Sequence, residues 1–326
     1  MPPAPQSPQL LFAANGTVLL HATAQHITAW DLASQQKRYT CAARLLGLSQ
    51  SSATLVAECA AHDYCFLDSA SGAPQVPTPA MLADLPFEVR FQVTMARTAQ
   101  GKYQGQWIDI TGQQPPRPLT LHAPGTSRVE QLDNWLVVAP DALLACAWSW
   151  ADGDFDGAYG RYHALQGSLA TPVSFAVSRF HTVPPLYFSG EHDWLVSGEQ
   201  SGFNLYTAST GQPYGAGKFY RLDGGGDVVA FHPQQRYWLA VNRDPILHKD
   251  AAQQGFVLLD IQTQPQTHTK PHGNTDSGRE IQVFPDIVPV VALAFHPDGQ
   301  SIAALHKDGT IHGWETDTGR KVWSLA

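Results

Sequence analysis

Val290 to Ala326 reads VVALAFHPDGQ, SIAALHKDG, TIHGWETDTGR and KVWSLA. These are four short apolar runs, separated by the turn signals Pro-Asp-Gly, Lys-Asp-Gly and Asp-Thr-Gly. Four antiparallel strands joined by tight turns form one blade of sheet. The same order stands at the start of the chain, where Gln9 to Ala43 gives QLLFAANGT, VLLHATAQH, ITAWDLASQQ and KRYTCAA. Val228 to Asp260 supplies a further copy, and its AFHP at Ala230 to Pro233 recurs at Ala294 to Pro297. Self-similarity at a fixed period marks a repeat architecture.

The third strand of each repeat is recognisable as an aromatic or aliphatic residue before Asp or a polar residue, followed by a short turn. The pairs are Trp30-Asp31, Leu67-Asp68, Ile108-Asp109, Tyr162-His163, Tyr206-Thr207, Leu259-Asp260 and Trp314-Glu315. First and last are 284 residues apart over six intervals, about 47 each, near the ~40–45 of propeller repeats with insertions allowed. The first strand of repeat three is expected within Pro79 to Leu85.

Composition narrows the function classes. The 326 residues are 43% hydrophobic, with 24 Phe and Tyr and 9 Trp, which is core material and excludes disorder. Twenty basic against 28 acidic side chains give a net charge of −8, the wrong sign for tracking phosphates, so nucleic acid is not an expected partner. The start MPPAPQSP lacks the basic patch and apolar stretch of a secretory signal. Trp135 to Ala151 comes nearest to a membrane span, but Pro140 and Asp141 break it into two buried strands. No membrane partner is expected, and the expected location is cytoplasmic. Cys41, Cys59, Cys65 and Cys146 form no CxxC pair, and reduced, buried thiols are the default. Cys59 and Cys65 flank a turn at Ala61-His62-Asp63, where they could oppose each other and form a disulfide in an oxidising compartment.

These repeats resemble the WD-repeat family of β-propellers, in a divergent form. The match is good in the final repeat, recognisable in repeats one, five and six, and thin in two to four. The family's structural tetrad joins a Gly-His before the first strand, a Ser or Thr in the second, an Asp in the turn and a Trp in the third. Asp308 and Trp314 match, but Ala304 holds the Ser position and Pro285-Asp286 stand where Gly-His belongs. Repeat five keeps Ser197 and puts Tyr206 at the Trp position. Closure departs too. Members often complete the last blade with an N-terminal strand, whereas this chain starts on an innermost strand and ends on an outermost one, so closure by side-chain packing between first and last blades is one of two open alternatives.

The expected fold is therefore all-β: a single domain over residues 9–326, a seven-bladed β-propeller of four-stranded antiparallel blades, after a disordered extension at residues 1–8. Second-to-third turns and links between blades share one face. Three insertions are assigned to it: Asp152 to Ala158, Arg243 to Gln254 and Thr267 to Asp286. Loops carry function disproportionately, and they also drift in length at little cost.

Asp152-Gly-Asp154-Phe-Asp156-Gly alternates carboxylates before Gly, a pattern that can wrap oxygens around Ca²⁺. It resembles the calcium loops of EF-hands and of FG-GAP propeller repeats, but Gly160 and His163 occupy the positions of the later ligands, and acidic Gly-rich turns also serve as solvated hairpin tips. None of the 14 histidines forms HxH or HExxH. His232 and His296 recur at equivalent positions before Pro, which argues for a structural role. His248, His268 and His272 fall in the inserted loops and could converge. GxSxG, P-loop and dinucleotide fingerprints are lacking, and Gly224-Gly225-Gly226 precedes a strand, so no catalytic residue and no cofactor beyond a possible Ca²⁺ is assigned.

By resemblance, the expected function is a non-enzymatic scaffold binding a protein or peptide on the inserted-loop face or channel mouth. Its partner-contact candidates are Trp148, Trp150, Phe155, Tyr159, Arg243, His248, Lys249, Asp250, His268 and His272. The rival is a propeller enzyme of the lactonase or quinone-dependent dehydrogenase type. It needs convergent polar groups on the innermost strands, and LLFA, LLGL, VVAF and VVALAF are mostly apolar.

Overall fold

The computed structural model describes residues 8–60, 63–99, 102–121, 129–139, 143–152, 155–164, 174–178, 185–199, 202–214, 219–221, 226, 228–243, 255–262 and 279–326. Over most of 129–178, and at 199 and 219–221, the description is of the backbone alone. Residues 1–7 of the expected N-terminal extension lie outside it.

Among the described residues the strands form seven antiparallel sheets, each continuous in sequence. Sheet one is β1 (Gln9–Ala13), β2 (Val18–Ala22), β3 (Ile27–Asp31) and β4 (Gln36–Cys41). Sheet two is β5 (Arg44–Leu48), β6 (Thr54–Ala60) and β7 (Asp63–Asp68); helices α1 (Pro79–Ala83) and α2 (Phe87–Arg90) follow. Sheet three is β8 (Phe91–Arg97), β9 (Tyr103–Asp109) and β10 (Arg117–Leu121). Sheet four is β11 (Val129–Ala139), β12 (Leu143–Asp152), β13 (Phe155–Ala164) and β14 (Ser174–Ser178). Sheet five is β15 (Leu186–Ser189), β16 (Trp194–Glu199), β17 (Gly202–Thr207) and β18 (Phe219–Arg221). Sheet six is β19 (Val229–Phe231), β20 (Trp238–Asn242), β21 (Phe256–Asp260) and β22 (Arg279–Phe284). Sheet seven is β23 (Val290–Phe295), β24 (Ser301–His306), β25 (Ile311–Glu315) and β26 (Lys321–Leu325). All seven third-strand pairs named from sequence fall in β3, β7, β9, β13, β17, β21 and β25.

Two compact units divide the chain, one mainly Arg90–Glu199 and Phe203–Phe219, the other mainly Gln6–Val89 and Tyr220–Ala326. In the second unit, middle strands are buried on both faces: Val18, Leu19 and Leu20 of β2 and Ile302, Ala303, Ala304 and Leu305 of β24 are inaccessible or nearly so. A sheet covered on both sides reads as a continuous apolar run rather than an alternating one. The fourth strands QKRYTC and KVWSL are exposed for most of their length, and their Lys and Arg blunt an edge that could otherwise pair with another chain.

Two sheets have three strands instead of four. Between β7 and β9 a fourth strand for repeat two and a first strand for repeat three were expected. The first is reduced to a single bridge, Leu67 to Pro74. In place of the second, Thr78 caps α1 by accepting the Met81 N–H at 3.3 Å, and Pro79 opens the helix. The helical segment then covers sheet two: Ser51 donates to the Asp84 carboxylate, and a methyl of Val89 lies 2.4 Å from where a Cβ on Gly47 would stand.

Sheets seven and one pack side by side, without a shared strand. Leu10, Phe12 and Leu19 share a buried cluster with Ala292, Ala294 and Leu305. A second contact repeats along the chain. His296 Nδ1 accepts from Asp298 N–H (3.3 Å) in its own turn, while Nε2 reaches Gly16 O at 3.2 Å. A Cβ on Gly16 would stand 1.9 Å from that nitrogen. One repeat earlier, His232 Nδ1 accepts from Gln234 and Gln235 N–H, and its Cε1 would meet a Cβ on Gly299 at 2.5 Å. The structural role expected for both histidines is thus met: each closes its own turn and presses on a glycine of the next sheet.

Candidate functional site

In sheet seven the tetrad positions hold a different set of polar groups. Asp308 is exposed and accepts from Thr310 N–H (3.0 Å) and Oγ1–H (2.7 Å), closing its own turn and leaving no link to the strand below. Trp314 Nε1 is buried without a hydrogen-bond partner. In sheet five Ser197 Oγ is likewise buried and unpartnered. Asp286, from the segment joining sheets six and seven, instead reaches between His306 at the end of β24 and His312 in β25.

The Asp286 carboxylate is 6% exposed and its two oxygens have separate tasks. Oδ1 accepts from Val288 N–H at 3.3 Å, fixing the turn. Oδ2 lies 2.9 Å from His312 Nδ1, 3.5 Å from His306 Nε2 and 3.3 Å from Lys321 Nζ. His306 is fully buried; its Nδ1 donates to Val288 O at 3.1 Å, and its Nε2 has no hydrogen-bond partner. Lys321 Nζ also sits 2.9 Å from His312 Nδ1 and 4.9 Å from the Trp314 ring centre. Burial opposes ionisation of Asp286, but the His312 hydrogen bond, His306, the Val288 N–H and Lys321 outweigh it and hold the carboxyl below its usual value. Burial also pushes the His306 pKa down, against the pull of Val288 O and Asp286.

These residues did not stand out in the sequence because the two histidines are six apart and the aspartate twenty residues upstream of the first. The hairpin register, with Leu305 opposite Ile311, brings both rings to one end of the sheet, their centres 4.5 Å apart. A histidine on each side of a predicted hairpin turn was the signal available.

The contact candidates from sequence distribute differently. Asp152 pairs with Phe155 and Ala151 with Asp156, so Asp152 to Ala158 is two lengthened strands meeting at a short hairpin rather than an inserted loop. Asp154 lies outside the described residues, as do the side chains of Trp148, Trp150, Phe155 and Tyr159. Arg243 is buried, paired with Glu280 across sheet six, and its N–H donates to Gly255 O at 2.9 Å. It anchors the base of the connection. His248, Lys249, Asp250, His268 and His272 lie outside the described residues. Their connections nevertheless leave opposite ends of β21: residues 244–254 precede Phe256, and 263–278 follow Asp260. Thr267 to Asp286 is thus a third-to-fourth connection plus β22, because the charged start Arg279-Glu280 hid a strand.

For the cysteines, the default of reduced thiols is corrected at Cys59 and Cys65, and the alternative pairing of these two is borne out. Cys59 falls in the irregular step of the β6–β7 ladder, its Cα comes 6.3 Å from that of Cys65, and the two form a disulfide. Cys41 and Cys146 are free. A groove of about 580 Å³ lies between sheets seven and one, at the first-to-second and third-to-fourth turns, lined by Asp31, Arg38, His296 and Asp298 among others. Asp31 is paired there with Arg38, and the Asp298 carboxylate lies against the His296 ring. Among the described residues, no helix is long and apolar enough to cross a membrane.

Neither a family model nor a curated protein matches the sequence. Among solved structures, the Myceliophteria thermophila Cps50 (Swd1) beta-propeller domain aligns over 95% of this chain and 97% of its own, at 12% identity and a TM-score of 0.55. The computationally designed Ika8 protein (15% identity, 98% of this chain, 86% of its own) and a chain of the Mitotic Checkpoint Complex (12%, 97%, 79%) align at TM-scores of 0.46 and 0.44, too low to bear on the fold. The fold is a β-propeller. That is the fold which the resemblance of its repeats to WD-repeat propellers implies.

Proposed function

We propose that this chain is a non-enzymatic interaction platform, a single seven-bladed propeller over residues 9–326 that binds a protein or peptide at the blade ends carrying second-to-third connections and inter-blade links. One observation carries the reading. Gly255, which ends the 244–254 connection, lies against Phe284 O and Asp286 N, where a Cβ would come within 2.2 and 2.7 Å. Surplus chain therefore emerges beside the link bearing Ile287, a large apolar side chain left 70% exposed. An exposed apolar residue beside a long loop is the make-up of a contact surface. The WD-repeat resemblance supports the same use.

The test is affinity capture from source lysate with three baits: the parent, a variant with residues 244–254 replaced by Asn-Gly, and Ile287→Asp. A protein retained in fixed stoichiometry by the parent and lost with either variant supports the platform at this end. Capture unaffected by both variants overturns it.

A further inference from the structure

We infer that Asp286, His306 and His312 form a binding site for a divalent transition-metal ion of the zinc class. Among the described residues they are the one group of three such side chains whose ligand atoms lie within 4.8 Å of one another. Two of the three separations, 2.9 and 3.5 Å, bracket the roughly 3.3 Å edge of a tetrahedron with metal–ligand bonds of about 2.0–2.1 Å. Two imidazoles and a carboxylate suit zinc, with the fourth position open to water.

The second observation is the state of His306. Its Nδ1 faces a carbonyl oxygen, which can only accept, so in the neutral ring Nδ1 carries the proton and Nε2 presents its lone pair. That lone pair is buried, unpartnered, and aimed at a carboxylate oxygen 3.5 Å away. A cation set between these two electron-rich atoms would give both a partner. A metal-bound histidine normally has its other nitrogen fixed by such a carbonyl, and a ligating carboxylate its second oxygen held by a backbone N–H. Val288 supplies both, through O to His306 and N–H to Asp286. Lys321 marks the place: its ammonium sits among Asp286 Oδ2, His312 Nδ1 and the Trp314 ring as a tethered stand-in cation, and at 40% side-chain exposure it can swing out to solvent. Binding would tie the inter-blade link to β24 and β25, beside Ile287.

The experiment titrates Zn²⁺ and, separately, Co²⁺ into the chelator-treated full chain. It reads stoichiometry, cobalt visible absorption and melting temperature for the parent, His306→Ala, Asp286→Asn, Lys321→Met and the surface control His26→Ala. The expected result is one ion per chain, a four-coordinate cobalt spectrum and a raised melting temperature. Affinity falls at least about tenfold in His306→Ala and Asp286→Asn and is unchanged in His26→Ala. Lys321→Met binds more tightly than the parent, because no ammonium has to be displaced; a purely structural polar cluster would not show that gain. Should His306→Ala fail to fold, the parent and Lys321→Met decide alone. A cobalt spectrum that survives His306→Ala, or the absence of one-to-one binding in both parent and Lys321→Met, overturns the proposal.

Discussion

Replacing Gly16 by Ala tests the packing of the last sheet against the first. The backbone there has φ +88°, and the new Cβ would stand 1.9 Å from His296 Nε2. The ring has to move, breaking its 3.2 Å contact with Gly16 O and the edge-to-face pair with Phe12 at 5.1 Å. The left-handed backbone costs about 1–2 kcal/mol for an L side chain, the hydrogen bond about 0.5–1.5 and the aromatic pair about 0.5–1.5. Gly309 is a matched control, with φ +90° and open space where its Cβ would go. Gly309→Ala thus carries only the backbone cost, and Gly16→Ala should exceed it by about 1–3 kcal/mol. Urea unfolding of both variants reads the difference. In a His296→Ala background the excess should disappear, which isolates the pair from the backbone. Equal penalties for Gly16→Ala and Gly309→Ala, or an excess that persists without His296, would refute the reasoning.

Two further outcomes follow from the same geometry. Asp109 is buried and held by Arg90 (Nη2, 2.9 Å) and by Thr111 N–H and Oγ1–H, so Arg90→Met strands a buried charge at a cost near the lower end of about 3–5 kcal/mol, Arg90 being 25% exposed. Burial works against that carboxylate's ionisation, but the Arg90 and Thr111 bonds prevail and depress its pKa; its contribution is present above the unfolded value of about 3.9 and lost as pH falls through the folded one. Urea midpoints should thus show the full penalty at pH 7 and a smaller one below about pH 4; an equal penalty at both would contradict it. Thiol titration of the denatured, non-reduced chain should give two free thiols, Cys41 and Cys146, against four if Cys59 and Cys65 were reduced.

What was legible in the sequence was whatever turn chemistry and short-range alternation determine. The Pro-Asp-Gly, Lys-Asp-Gly and Asp-Thr-Gly signals place β23 to β26, and the pairs of an aromatic or aliphatic residue with Asp or a polar residue mark every third strand. The helices of repeat two to three were misread although Thr78-Pro79 is a helix start, because counting four strands per repeat overrode a local cap. β22 was missed for a related reason: an outer strand need not be apolar, and Arg279-Glu280 reads as loop. The Asp286 cluster depends on register. Its members are ordinary residues until the β24–β25 hairpin and the link from sheet six set them against one another.

The central claim is that a partner docks where the 244–254 connection and the Ile287 link emerge. Hydrogen–deuterium exchange of the purified chain, with and without the protein it captures, measures this directly. The account predicts slowed exchange confined to residues 243–256, 285–289 and 306–312. Protection confined to the opposite turns, at 14–17, 232–237 and 296–300, would contradict it.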